Sequence, residues 1–191
     1  MNNNLFRKYE ISGVVVTTLI TLFLWSFYEL SDKSVVAIIF SPVNNSLWEK
    51  SKSIIISYSF YALVELAATK PYFKQFVVAK FFGVYILFLF YSCLFSLTEP
   101  VTSFALNISM LLLTLSVSFI FSYYITISKI SVKNLFYTAC FMLLLMAVMI
   151  ATFTVFPPEG KIFKDVNLGL YGIIPDDIDV GAIVMDKIYS N

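Results

Sequence analysis

The sequence predicts an all-α polytopic membrane protein, a bundle of about five transmembrane helices with the N-terminus inside and the C-terminus outside. Three observations carry that expectation. Of the 191 residues, 59% are hydrophobic and only 13% are charged, against roughly 25% charged in a soluble domain. Five apolar runs stand out, on the scale of the ~20 residues a bilayer core demands. Mean hydropathy is +0.85 and 18% of residues are aromatic, a composition that aggregates in water and suits lipid.

In chain order, the run 11–28 follows Arg7 and Lys8 and lacks a small-residue cleavage site, so it is expected to be retained as a first span over 11–30. Residues 35–40 are apolar but too short to cross, and belong in the interface or against helix ends. The second span is expected at 46–69, the third at 80–97, the fourth at 101–127 and the fifth at 134–156. The last two apolar runs hold no charged residue, and the fifth stops at Pro157-Pro158, where two amide donors are missing and φ is fixed. Residues 1–156 thus form the transmembrane domain. The tail, 157–191, carries six acids and three lysines, with apolar residues at Ile162, Phe163, Leu170, Tyr171, Ile173 and Ile174. It is too apolar for a solvated tail and is expected to fold partly back on the outer face.

Orientation follows from basic residues in short joints. Arg7, Lys8, Lys70, Lys74, Lys80, Lys129 and Lys133 fall on one face; Lys33, Lys50 and Lys52 fall on the other. The richer face is read as cytoplasmic, which puts the 41–50 loop and the tail together outside in a multi-pass cell-membrane protein.

Several chemistries are excluded. Net charge is +1 and no dense basic patch occurs, so nucleic acid is not an expected partner. Histidine is absent, which removes the commonest metal ligand and general base. Cys93 and Cys140 lie in apolar runs and read as small packing groups rather than a disulfide or metal pair. No phosphate loop, nucleophile elbow or zinc helix is present, and no cofactor or metal is implied.

The densest polar cluster is the 41–50 loop. Ser46 with Glu49 three residues on has the pattern of a capping box, with Trp48 as an interfacial aromatic and Lys50 and Lys52 reaching for water. The competing reading is a ligand site built from Asn44, Asn45, Trp48 and Glu49 with Asp165 and Tyr171 of the tail; two adjacent asparagines exceed what one cap requires. Glu29, near Asp32, is a further acid at the outer end, with Lys33 or Lys50 as partner. Glu65 is the one acid well inside an apolar segment, and a structural ion pair with Lys70 or Lys80 is expected. In the fourth span Ser103, Asn107, Thr114, Ser118 and Ser122 fall within about a 100° arc at 100° per residue. Such a stripe lines a wet path or lets helices approach, the latter being commoner.

These segments resemble a family of small bacterial multi-pass membrane proteins of unknown function. The shared pieces are Tyr28-Glu29, the run Phe40-Ser41-Pro42-Val43-Asn44 with Ser46, Trp48, Glu49 and Lys52, then Glu65, Lys80, and Pro157-Pro158 followed by Phe163, Asp165, Tyr171, Gly172 and Ile173. The resemblance implies nearly the whole chain and a shared loop and tail, but no activity. Where this chain has Trp25 and Lys50, relatives often have histidine, so any metal or proton role of those histidines is lost here.

The expected function is therefore binding of a small molecule, lipid headgroup or membrane-protein partner at the outer face. Trp48 stacks, Asn44 orients, and Glu49 and Asp165 hold a cation. Whether the chain is an enzyme stays open, and the missing histidine leans against it. The alternatives are a hydrolase or transferase using Glu49 and Asp165 around a divalent ion, and a transporter or channel subunit in which the fourth-span stripe lines the path and five spans suggest a homo-oligomer.

Overall fold

Long apolar runs alternating with short polar joints leave each helix one way to satisfy its backbone and bury its side chains, which is to fold back on its neighbour. A computed structural model describes residues 3–98, 103–128 and 132–174. The turn between the third and fourth expected spans, Lys129, and the tail beyond residue 174 lie outside the described residues. The helices are α1 (Asn3–Leu30), α2 (Val35–Phe40), α3 (Leu47–Thr69), α4 (Phe73–Thr98), α5 (Phe104–Ile127) and α6 (Lys133–Val155), followed by a 3-10 turn at Lys161–Phe163. Among the described residues there is no strand, only one antiparallel bridge between Lys164 and Tyr171.

Four helices are long and apolar enough to cross a membrane: α1, α4, α5, and Asn134–Val155 of α6. Helix α3 has comparable length but carries Glu49, Lys50, Lys52 and Glu65 among serines and tyrosines. Its position explains that composition. It packs against α1 and α4, and α5 closes the ring by packing against the same two helices, while α2 and the 3-10 turn sit on α3. Fourteen of its 23 residues are buried, so its polar groups meet other parts of the protein. Helix α6 lies outside the ring, against α4 and α2.

The ring closes tightly around aromatic side chains, with Tyr58 and Phe119 centroids 4.8 Å apart. Two glycines permit it. A Cβ on Gly13 would lie 2.6 Å from Phe119 and 2.7 Å from Tyr61, and one on Gly83 would strike the Tyr58 hydroxyl.

Several local expectations change. Helix α1 begins at Asn3, well ahead of its apolar run, because charged residues mark where lipid ends and not where the helix ends. Cys93 and Cys140 are exposed, on the outside of the bundle, rather than packing groups within it. Trp48 is 3% exposed and Lys52 only 1%, so neither sits at an interface. Residues 35–40 form a one-and-a-half-turn helix capped by the Ser34 hydroxyl and anchored by buried Ala37.

Candidate functional site

The loop before α3 and the tail after α6 meet at one end of the bundle. Ser46 caps α3 by accepting from the Glu49 amide at 3.2 Å. The reciprocal half of the box is taken by the Asn44 side-chain oxygen, which accepts from the Ser46 amide at 2.9 Å. That frees the Glu49 carboxylate to accept from the Val43 amide and pair with Lys52 at 2.6 Å. Thr154 of α6 accepts from Lys52 and donates to Glu49, and Lys52 also donates to the Ile38 carbonyl of α2. Thus Glu49 and Lys52 tie together α2, α3 and α6.

The tail is stitched to the same loop. Asn44 Nδ2 donates to the Gly172 carbonyl at 2.8 Å, and the Asn45 amide donates to Asp165 Oδ2 at 2.6 Å. Asp165 Oδ1 accepts from the amides of Asn167 and Leu168, an Asx-type turn. Gly169 and Gly172 take φ of 74° and 67°, which side chains with a Cβ resist. Trp48 is enclosed by Phe88, Phe153 and Phe163 at centroid separations of 5.8, 5.4 and 5.2 Å. The structure therefore brings Asn44, Asn45, Trp48, Glu49 and Asp165 into one junction. There Asn44 and Asp165 bond to backbone groups of loop and tail, Glu49 bonds to Val43, Lys52 and Thr154, and the buried Trp48 indole N–H has no hydrogen-bond partner. Asn45 and Tyr171 are the exposed members. Trp25 donates to Ser53 at 2.9 Å, and the Lys50 ammonium stands 5.7 Å from the Phe95 ring.

A second cluster lies toward the opposite end. Lys80 Nζ is 2.6 Å from Glu65 and 3.2 Å from Glu10. Ser122 of α5 donates to Glu10 Oε1 at 3.1 Å. Glu65, Glu10 and Lys80 are 0%, 4% and 5% exposed. The ammonium also stands 5.1–5.3 Å from the rings of Phe76, Phe119 and Tyr58, which share its charge. Four helices thus each supply one member. Lys70, the other partner offered by the sequence, is exposed and ends α3 with φ of 44°.

Glu10 was not among the residues singled out from sequence, because it stands close to Arg7 and Lys8 and reads as a water-side group. The signal was its register: Glu10, Thr17 and Thr21 repeat at helical spacing, and all three are buried. Thr114, Ser118 and Ser122 of the α5 stripe are fully buried, Ser118 donating to the Gly83 carbonyl at 2.8 Å. Ser103 is exposed and Asn107 half-buried, so the stripe faces inward only along its second half.

Glu10 has another property. Its Oε2 is sealed from the surface and accepts no hydrogen bond, and the same holds for Glu65 Oε1. Glu10 also lines a cavity of about 790 Å³ between α1 and α5, walled by Ile11, Val14, Val15 and Ile120 with Arg7 at one end. A smaller cavity of about 330 Å³ between α3 and α6, under α2, is lined almost wholly by apolar side chains such as Ile55, Leu63 and Met146.

Among the described residues no three carboxylate or thiol groups gather as a metal site would require. No curated protein and no solved structure matches the chain. A comparison with protein families does match over residues 1–173, and the chain belongs to that family, a family of unknown function (DUF6512).

Proposed function

We propose that the chain crosses the membrane five times, with α3 as the most buried span and the N-terminus in the cytoplasm. We further propose that it takes an amphipathic ligand from the bilayer into the cleft between α1 and α5, beside the Glu10–Lys80–Glu65 cluster. The observation that carries this reading is the double membership of Glu10, which belongs to the buried ion cluster and to the cleft wall. Ionisable groups inside a membrane are costly and gather where function needs them. Five crossings are supported by the inward partners of the α3 charges, and orientation by the excess of lysine and arginine on the Arg7 end.

The test is co-purification. Protein extracted in mild detergent is analysed by native mass spectrometry, comparing wild type with Val14→Trp/Ile120→Trp, which fills the cleft. The adduct should disappear in the filled variant and persist in Asn45→Ala/Tyr171→Ala, both variants keeping their thermal transition. An adduct that survives the first change and is lost with the second sinks the cleft in favour of the outer face.

The outer-face site over Asn44, Asn45, Trp48, Glu49, Asp165 and Tyr171 is the second reading. Convergence of loop and tail and the unpartnered Trp48 indole N–H favour it; the internal bonds of Asn44, Glu49 and Asp165 support instead a structural clasp. Those same bonds weaken the divalent-ion hydrolase, since both oxygens of Asp165 already accept backbone amides. The bonds of Ser118 and Ser122 to α4 and α1 support helix packing over a conducting stripe.

A further inference from the structure

We infer that the Glu10–Glu65–Lys80 cluster is a proton-binding site: one proton is held between the two carboxyls, and the three groups together carry no net charge. The site is independent of the α1–α5 cleft, since it uses the oxygen of Glu10 that is sealed from the surface.

The donors around the two acids are already spent. Glu10 Oε1 accepts from Lys80 at 3.2 Å and from Ser122 at 3.1 Å, and Glu65 Oε2 lies 2.6 Å from the same ammonium. Glu10 Oε2 and Glu65 Oε1 accept nothing from the surrounding helices. Yet the two carboxyls face each other within hydrogen-bonding reach. Ionised carboxylates are acceptors only, so a bond between two of them needs an O–H. One proton supplies it. The acid that holds the proton donates to its neighbour in a charge-assisted bond, one of the short and strong kind.

Charge gives the same count. Lys80 is the ammonium set against both acids, so full ionisation would leave one negative charge among residues at most 5% exposed. Unpaired charge in such surroundings is costly, and two carboxylates sharing a site do not both ionise. From α3 the titratable groups facing the pair are Tyr58 and Tyr61, and α5 brings the hydroxyl of Ser122. None of these supplies a positive charge. Arg7 and Lys8, earlier on α1, are exposed. The balance therefore falls to a proton, which belongs to the pair rather than to either residue. Its loss would turn a neutral set into an anion at the point where α1, α3, α4 and α5 meet.

Infrared spectroscopy reads that proton directly, as the C=O stretch of an undissociated carboxylic acid. Full-length protein, its glutamates isotope-labelled at the side-chain carboxyl carbon, is measured in an ester-free detergent at neutral pH. The labelled acid band should be present in wild type, vanish in Glu10→Gln and equally in Glu65→Gln, and roughly double in Lys80→Gln. Glutamine keeps the shape of the side chain and an N–H donor for the remaining carboxylate. Both single glutamate variants should therefore keep the wild-type thermal transition, which leaves the test decisive even if Lys80→Gln does not fold. No acid band in wild type means that both acids are ionised and overturns the proposal. A band that survives either glutamate substitution puts the proton elsewhere and overturns it as well, as does an unchanged band in folded Lys80→Gln.

Discussion

Lys80 is where the residue-scale physics concentrates. A single ammonium holds two acids from different helices at 2.6 and 3.2 Å, with less than a tenth of any of the three exposed. Removing one partner of such a set strands charge in a low-dielectric interior, whereas replacing all of it with apolar groups is often tolerated. Lys80→Met is therefore expected to cost about 3–5 kcal/mol, and Glu10→Leu/Glu65→Leu/Lys80→Leu to recover most of it, both read as thermal unfolding in detergent. A triple variant no more stable than Lys80→Met would contradict that account. Gly13→Ala should cost about 1–3 kcal/mol by overpacking, since its Cβ would press on Phe119 and Tyr61; an unchanged melting temperature would mean the two rings swing aside. At this scale the sequence is readable where a residue contrasts with its neighbours. Glu65 contrasts with the leucines and alanines around it, while Glu10, among other charges, looks solvated until its helical register with Thr17 and Thr21 is considered.

Helix α3 shows what an element gains from its surroundings. Hydropathy picks out α1, α4, α5 and α6 as spanning lengths, because each shows a broad face to the outside. Helix α3 is less apolar because 14 of its 23 residues are buried against its neighbours, leaving a narrow outward face at Phe60, Leu63 and Val64. Its start was legible as Ser46 three residues before Glu49, but the use of those groups was not. Asn44 does the work expected of Glu49, and Glu49 joins Lys52 and Thr154, a partner more than 100 residues distant that no local pattern reveals. Asp165 performs the corresponding task for the tail. Asp165→Ala removes the acceptor for three backbone amides and should loosen the tail by about 1–3 kcal/mol. Limited proteolysis would show faster cleavage between Pro158 and Gly172 with the helices intact, and cleavage at the wild-type rate would argue that Asn44 and Trp48 hold the tail unaided.

For the whole molecule, the antiparallel order puts the Arg7 end and the loop–tail junction at opposite poles. If the basic pole faces the cytoplasm, a protein with Cys93 and Cys140 replaced should react differently at its two ends. An Asn45→Cys variant should label with an impermeant maleimide in intact cells, and a Tyr72→Cys variant, at a site 64% exposed, only after lysis. The reverse pattern would invert the orientation. The apolar runs and Pro157-Pro158 mark the four helices long enough and apolar enough to span, while the short α2 was legible only as an apolar run. Which helix is most buried, and which face of α1 turns inward, depend on pairings that a one-dimensional pattern does not contain.

The separation of Glu10 from Lys80, 70 residues apart along the chain, has a consequence for biogenesis. If the helices enter a membrane in chain order, α1 arrives with its acid uncompensated and waits, through the making of α2 and α3, for its counter-ion to arrive on α4. Glu65 waits as well, so two unpaired acids precede the one lysine that settles both. The insertion machinery or the headgroup layer must shelter α1 and α3 in that interval. A chain stopped before Lys80 would lack the ammonium that joins Glu10 to Glu65.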